Sequence, residues 1–177
     1  MVSSFLKSLF DQKPRQVFAL TFATSVALLA YGMYLQHVVG LEPCPMCVVQ
    51  RYAFVLIGLV ALAASLSRPK RARFSTGDYV SAGLIVLFAG LGAFTAARQS
   101  WLQWYPPEIA SCGRDIYGMV ENFPLQRAIP MIFKGSGDCT KIDWTFLGGS
   151  IANWSFVCFV GVFIGFVVLM VRQKRLS

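Results

Sequence analysis

Four long apolar runs limit what this chain can fold into more than any other feature. They cover roughly residues 16–36, 48–67, 79–97 and 151–171, and almost no charge interrupts them. Each has the about 20 residues that a helix needs to cross about 30 Å of hydrocarbon. They lack the alternation of barrel strands, and only helices or closed barrels satisfy their backbone groups in lipid. We therefore predict an all-α membrane protein, a bundle of four transmembrane helices in a single domain over residues 1–177.

The first run is too long to be the apolar core of a cleavable signal peptide, which usually has about 7–15 residues. It also lacks a small-x-small cleavage site. We therefore expect it to be retained as the first helix.

Basic residues in the short flanks predict the orientation of the bundle. With four spans, the N-terminal arm, the segment 68–73 and the C-terminal tail share one side, which carries ten Lys and Arg against two acids. The other side carries six basic and six acidic residues. The positive-inside rule places both termini in the cytoplasm and two loops, about 38–45 and 99–149, outside. The basic balance indicates topology and anionic lipid contact, not nucleic acid binding.

Four of the five cysteines fall on the non-cytoplasmic side: Cys44, Cys47, Cys112 and Cys139. Thiols in an oxidising compartment are usually disulfide-bonded. A Cys112–Cys139 disulfide would close a loop of about 28 residues, worth roughly 3.6 kcal/mol on the chain-entropy model. Cys158, inside the fourth run, is interpreted as a small core residue.

The motif Cys44-Pro45-Met46-Cys47 lies where the second apolar run begins. Proline is tolerated in the first turn of a helix, so we place Cys44 near the N-cap and Cys47 in the first turn. Unpaired N–H groups and the positive end of the helix dipole favour a thiolate there. Arg51 projects from the same helical face as Cys47. It can stabilise that thiolate or hold a polar partner; the alternative is that it extends outward to the interface.

Several functions of a Cys-x-x-Cys pair do not fit this sequence. Haem attachment needs a histidine where Val48 stands, and a zinc ribbon needs a second Cys-x-x-Cys pair. A thioredoxin domain needs a βαβ pattern around the motif. A redox disulfide at the membrane surface remains, with a second cysteine pair in a neighbouring loop and electrons passing by thiol–disulfide exchange. The position beside Arg51 at the hydrocarbon edge indicates a lipid-soluble acceptor, a quinone.

Two other hypotheses stay open at this point. In one, the chain is a four-helix scaffold or interaction protein whose outer disulfides are purely structural. In the other, Cys44, Cys47 and His37 bind a metal ion, although such a site needs more ligands. The simpler interpretation of His37 is a polar residue at the membrane interface.

Glycine and alanine are frequent in the third run, which predicts close helix approach. In the fourth run Gly161 and Gly165 form a Gly-x-x-x-Gly pair. We interpret both features as packing faces within one bundle.

A combination of motifs resembles the DsbB family of disulfide bond formation membrane proteins over almost the whole chain. The matching residues are Gln36-His37, Pro43-Cys44-x-x-Cys47 with Arg51, Leu102-Gln103-x-Tyr105-Pro106, and Gly137-Asp138-Cys139 followed by Trp144-x-Phe146-Leu147-Gly148.

The resemblance implies an enzyme of the bacterial inner membrane that reoxidises a periplasmic, DsbA-like thioredoxin-fold oxidase. The reduced partner would attack Cys112, and Cys139 would then exchange with Cys44. Cys47 would be released as a thiolate against a quinone, ubiquinone or menaquinone, and Arg51 would hold a quinone oxygen. No metal enters this scheme, and nothing in the sequence requires more than a monomer.

The sequence departs from the family pattern at the outer end of the third helix. Some members place a histidine there, near the quinone, whereas this chain has Arg98-Gln99-Ser100. We expect Gln99 or Arg98 to substitute for it. His37 and Gln99 thus join Arg51 and Cys47 as candidate quinone-binding residues.

Overall fold

Four long helices dominate the structure, a computed structural model that describes residues 14–67, 74–106, 137–140, 142 and 144–176. Cys112 and the predicted Cys112–Cys139 disulfide lie outside these residues, as do most of the basic flanks. The elements are α1 (Pro14–His37), α2 (Pro45–Leu66), α3 (Thr76–Trp104), the single turn α4 (Gly137–Thr140), β1 (Thr145–Phe146), β2 (Gly149–Ser150) and α5 (Ile151–Leu176). The four long helices are apolar enough to cross a membrane, so the predicted fold class is confirmed.

Two helix starts follow directly from the sequence. Pro45 occupies the first turn of α2, where its missing N–H costs nothing, and Cys44 is the N-cap. At the start of α3, the Asp78 carboxylate accepts hydrogen bonds from the Ser75 backbone N–H at 2.7 Å and from the Ser75 hydroxyl at 3.1 Å. These bonds fix the chain as it enters the third span.

The third helix is longer than hydropathy predicts. The apolar run ends near residue 97, but α3 continues to Trp104, so the second outer loop begins after this residue and not at residue 99. The extra turns contain Gln99 and Ser100, which are buried, and Trp101, which is exposed. A hydropathy window stops at the first polar residues, whereas the backbone continues because packing inside the bundle accommodates their side chains.

The bundle is arranged around α3, which packs against both α2 and α5, while α1 packs along α2. Phe54 of α2 stacks on Phe159 of α5 with ring centroids 4.0 Å apart. Phe159 reaches this position because Gly92 of α3 leaves room for its ring. Further along, Phe18 of α1 meets Phe166 of α5 edge to face at 5.2 Å.

The glycine predictions have different outcomes. Gly92 is a point of close helix approach, as expected, since an added Cβ would lie 2.4 Å from the Phe159 ring. The Gly161 and Gly165 prediction is wrong for this bundle, because a Cβ at either position would meet no atom within 4 Å. Both glycines face open space beside the helix and not a tightly packed neighbour.

A short hairpin precedes α5. Thr145 pairs with Ser150 and Phe146 with Gly149 in antiparallel register. The two turn residues, Leu147 and Gly148, both have positive φ, 50° and 79°. Such a turn matches the twist of a two-residue hairpin. The Trp154 indole N–H donates to the Phe146 carbonyl at 2.9 Å and ties the hairpin to the first turn of α5.

Candidate redox site

Cys44 and Cys47 lie side by side at the mouth of α2. Their sulfur atoms are 2.8 Å apart, and the Cys47 backbone N–H donates to the Cys44 sulfur at 3.4 Å. Cys44 is buried and Cys47 is half-buried. The N-cap geometry thus brings the two thiols close enough to form a disulfide with little movement of the backbone.

Two buried glutamines lie directly behind the cysteine pair. The Gln99 side-chain amide of α3 donates to the Cys47 sulfur at 3.2 Å and to the Cys44 sulfur at 3.3 Å. The Gln50 amide of α2 donates to the Gln99 side-chain oxygen at 2.7 Å. Both glutamines are less than 5% exposed. Gln99, predicted as a quinone ligand, is therefore a direct partner of both thiols.

Cys139, on the single turn α4, is brought to the other side of Cys44. Its side chain is fully buried in a cluster with Cys44, Met46 and Leu102. Hydrogen bonding with Cys139 and then Cys47, together with burial, raises the pKa of the Cys44 thiol above its ordinary range. Cys44 thus has two cysteine partners, Cys47 from its own motif and Cys139 from the segment between α3 and α5.

Arg51 turns toward α1. Its guanidinium donates one hydrogen bond to the Gln36 side-chain oxygen and another, at 3.2 Å, to the Gly32 carbonyl. Both acceptors are neutral. A guanidinium has a planar fork of donors, so it can contact both groups and keep further N–H groups available.

A cavity of about 390 Å³ adjoins Cys47 and Arg51. Its wall is formed by α1, α2, the start of α5, the first outer loop and two aromatic residues before and within the hairpin. The lining residues are Leu28, Leu29, Tyr31, Gly32, Leu35, Leu41, Glu42, Pro43, Cys47, Gln50, Arg51, Phe54, Trp144, Phe146, Ile151, Trp154, Ser155 and Cys158. The volume is within the range of about 300–1,000 Å³ for small-molecule sites, which are mostly apolar with a few polar groups.

Four aromatic residues of the cavity wall contact one another. Trp144 meets Tyr31 of α1 edge to face at 6.2 Å and stacks on Phe146 at 6.1 Å. Phe146 in turn contacts Trp154 of α5, with centroids 6.1 Å apart. The aromatic residues thus form a continuous row of contacts from α1 through the hairpin to α5. The Phe18–Phe166 contact joins the same two helices further from the cysteines.

The predicted site residues are not all gathered at this cavity. His37 is exposed at the end of α1 and does not contribute to the cavity wall. Gln99 lines a smaller, neighbouring space of about 60 Å³ together with Cys44, Cys47 and Gln103. A quinone-binding role for His37 and Gln99 thus stays a prediction without a contact to the larger cavity.

The metal hypothesis also lacks a site in the structure. In the part of the chain that the structure describes, no group of three or more His, Cys, Asp or Glu side chains could hold a metal ion. Cys44 and Cys47 face each other, Cys139 and an amide, and His37 is not grouped with them.

Cys158 packs as predicted, and it also lines the larger cavity. It packs against the main apolar core of the bundle, as expected for a small core residue. It also lines the cavity that Cys47 and Arg51 share. Cys158 of α5 and Cys47 of α2 therefore line the same cavity.

Sequence reasoning missed Gln50 and gave Gln36 no role. Gln50 stands inside an apolar run, and a polar residue in such a run is a functional candidate because it is costly in lipid. That signal was present in the sequence. Its partner was not, since pairing Gln50 with Gln99 requires the register of α2 against α3.

The chain matches the family described as "Disulfide bond formation protein DsbB" over residues 14–169. The chain belongs to the DsbB family.

Curated relatives agree with this assignment. "Disulfide bond formation protein B" of Polaromonas sp. strain JS666 is 65% identical over 166 residues, covering 94% of this chain and 96% of the relative. Its namesake in Paracidovorax citrulli is 60% identical over 176 residues, covering 99% and 95%. That of Aromatoleum aromaticum is 53% identical over 166 residues, covering 94% and 97%.

Membership of the DsbB family connects the cysteine geometry with disulfide bond formation. This multi-pass membrane protein is an oxidoreductase in disulfide bond formation, a process that implies a partner in disulfide exchange. The Cys44–Cys47 pair at the mouth of α2, with Cys139 beside it, supplies sulfur atoms suited to that chemistry.

Proposed function

We propose that this protein is a thiol:quinone oxidoreductase that reoxidises a periplasmic, DsbA-like thioredoxin-fold oxidase. The observation that carries the proposal is the different surroundings of the two motif cysteines. Cys44 contacts Cys139 of the second outer loop, whereas Cys47 lines the cavity that holds Arg51. Such a pair can accept electrons on one side and release them on the other.

The larger cavity supports a quinone as the acceptor. A quinone has a flat apolar ring with two carbonyl oxygens, and it reaches its enzymes through the lipid. The cavity offers leucine and aromatic walls for the ring and the Arg51 guanidinium for an oxygen. Its position between α1 and α5, two helices that each have much lipid-facing surface, is suited to a ligand that arrives laterally.

The roles of the protein groups follow from their positions. A bound quinone supplies an acceptor for two electrons and two protons. Cys47 presents its sulfur to the cavity, and Arg51, held by Gln36 and Gly32, presents the charge that orients a ring oxygen. Trp144 and Phe146, which stack on each other at 6.1 Å, add apolar wall for the ring.

On the partner side, we propose that electrons enter through the second loop. The partner dithiol attacks Cys112, the Cys112–Cys139 bond breaks, and Cys139 is released as a thiolate. The contact between Cys139 and Cys44 supports the next exchange, in which Cys139 attacks the Cys44 sulfur. In the net reaction the partner dithiol becomes a disulfide, and two electrons and two protons pass to the acceptor.

The proposed location is the bacterial inner membrane with both termini in the cytoplasm. The ten basic residues of the flanks support this orientation through the positive-inside rule. It places the mouth of α2 and both outer loops in the periplasm, where a soluble oxidase can reach them.

Thiol trapping tests the proposed function. The purified protein is mixed with a reduced thioredoxin-fold oxidase, with and without added ubiquinone or menaquinone, and quenched with an alkylating agent. We expect mixed disulfides without quinone, and partner oxidation with quinol formation when quinone is added. Outer disulfides that never exchange with the partner would instead support the structural scaffold, and thiols unreactive because of a co-purified metal would support the metal site.

A further inference from the structure

Gln50 and Gln99 form a buried, hydrogen-bonded pair next to the sulfur atoms of Cys44 and Cys47. Gln99 donates its amide to the sulfur atoms of Cys47 and Cys44 at 3.2 and 3.3 Å. Gln50 donates to the Gln99 oxygen at 2.7 Å. Buried amides in an apolar bundle are costly unless they are paired, so this arrangement needs a reason beyond packing.

The Gln50 contact decides which end of the Gln99 amide faces the sulfurs. Because the Gln99 oxygen accepts from Gln50, the Gln99 NH₂ group is the end nearer to the sulfurs: it lies 3.2 Å from the Cys47 sulfur, whereas the oxygen lies 3.7 Å from it. An NH₂ group has two hydrogens, one for each sulfur, and a sulfur that carries negative charge is a much better acceptor than a neutral thiol. The orientation therefore favours a charged sulfur.

Cys47 also lines the larger cavity. Gln99 does not line that cavity; together with Cys44 and Cys47 it lines the smaller space next to it. Its hydrogen bond to the Cys47 sulfur therefore leaves the larger cavity unobstructed. Gln50 also lines the larger cavity, and its amide N–H donates to the Gln99 oxygen.

We propose that Gln99 is a catalytic residue that stabilises the Cys47 thiolate, and that Gln50 is a positioning residue that fixes the Gln99 amide. The proposal rests on the proposed function and concerns the same site. When the Cys139 thiolate attacks the Cys44 sulfur, the Cys44–Cys47 bond breaks and a Cys44–Cys139 bond forms. The electron pair of the broken bond stays on Cys47, and the Gln99 amide then stabilises this negative charge by donating a hydrogen bond to the sulfur.

The test measures Cys47 reactivity directly, in the full-length protein without quinone or partner. In a Cys44→Ser, Cys158→Ala background, the rate of Cys47 alkylation by iodoacetamide is followed from about pH 6 to pH 10. We expect Gln99→Met to lower the rate about tenfold at neutral pH and to displace the pH profile by about one unit to the alkaline side. One unit corresponds to that tenfold change in the thiolate fraction.

Three further variants separate this role from a structural one. Gln50→Met should displace the profile in the same direction by a smaller amount, because Gln99 is kept but not oriented. Gln99→Glu keeps the size and polarity of the side chain and should displace it at least as far, since a carboxylate repels the thiolate. Gln103→Met is the matched control, one turn along α3, where the side chain accepts a hydrogen bond from Ser150.

An unchanged profile in both Gln99 variants would overturn the proposal, and so would an equal displacement in Gln103→Met. Because the assay contains no electron acceptor, its result is independent of whether quinone is the acceptor. Quinone reduction by the wild type together with an unchanged alkylation profile in the Gln99 variants would thus remove the glutamine role alone. A normal glutamine effect without quinone reduction would remove only the proposed acceptor.

Discussion

Arg51 of α2 and Gln36 of α1 are joined by a hydrogen bond across the wall of the larger cavity. A second bond, from Arg51 to the Gly32 carbonyl, makes the contact two-point. The positive charge of Arg51 thereby has a fixed place beside Cys47, held by groups that do not neutralise it. We therefore expect the cavity to favour a ligand with an electron-rich oxygen.

Replacing Arg51 by lysine keeps the positive charge but removes the planar arrangement of N–H donors, so it tests which of the two the quinone needs. Lysine is a flexible point charge and cannot reproduce the planar contact with both Gln36 and Gly32. Loss of one charged hydrogen bond costs about 1.5–3 kcal/mol, so we expect the KM for quinone to rise roughly 10- to 100-fold. Steady-state quinol formation with varied quinone measures this.

The control for Arg51→Lys is the rate of mixed-disulfide formation with the reduced partner, which should stay close to that of the wild type. If the KM for quinone does not change, Arg51 is not a ligand of the quinone. The outward-extending interpretation of its side chain would then be preferred.

Cys47 and Cys158 line the same cavity but should differ completely in function. Cys47→Ser removes the group that bonds to Cys44 and should abolish thiol-dependent quinone reduction. Cys158→Ala removes a half-buried sulfur from the wall without touching the cysteine pair, and it should leave turnover within about twofold of the wild type. Retained activity in Cys47→Ser would end the assignment of Cys47 as the quinone-side cysteine.

Cys44 should react slowly with alkylating agents in the fully reduced, folded protein. Hydrogen bonding with Cys139 and Cys47 and burial raise its pKa, so the neutral thiol predominates at neutral pH. Only the thiolate is nucleophilic. Pulses of iodoacetamide with mass spectrometry should show Cys44 labelling that stays low near pH 8 and increases well above the usual thiol pKa of about 8.5.

After unfolding, Cys44 should react like an ordinary cysteine, with a profile centred near that usual pKa. The unfolded chain is therefore the reference for this measurement. Equal labelling rates at about pH 8 in the folded and unfolded protein would show that the fold does not protect Cys44.

Much of the bundle could be predicted because membrane crossing imposes a simple requirement on sequence. Runs of about 20 apolar residues gave the four helices, and Pro45 gave the place of Cys44 at a helix mouth. The end of α3 could not be predicted in this way. Gln99 and Ser100 look like loop residues to a hydropathy window, and only the packing of α3 against its neighbours shows that they are helical and buried.

The site was predictable where one local segment determines it. Cys44, Cys47 and Arg51 share a single helical turn or two, so their relation follows from spacing. The partners of these residues come from other helices: Gln99 from α3 and Gln36 and Gly32 from α1. Such contacts depend on how two helices are rotated and shifted against each other. This relative placement cannot be predicted from the residue pattern of a single sequence.

Two glycines of α3 offer a matched test of the bundle itself. At Gly92, an added Cβ would lie 2.4 Å from the Phe159 ring, which is fully buried and stacked on Phe54 at 4.0 Å. The ring has no free space to move into, so Gly92→Ala should destabilise the protein by about 1–3 kcal/mol. At the exposed Gly83, a Cβ meets nothing within 4 Å, and Gly83→Ala should be neutral or stabilising by about 0.5–1 kcal/mol.

Thermal unfolding of the detergent-purified variants, followed by circular dichroism, distinguishes the two glycines. Gly92→Ala should lower the transition temperature, and Gly83→Ala should keep or raise it. Adding Phe159→Leu to Gly92→Ala should recover part of the loss, because a smaller side chain makes room for the methyl group. Equal shifts at the two glycines would mean that α3 and α5 do not approach each other at Gly92 as closely as the structure shows.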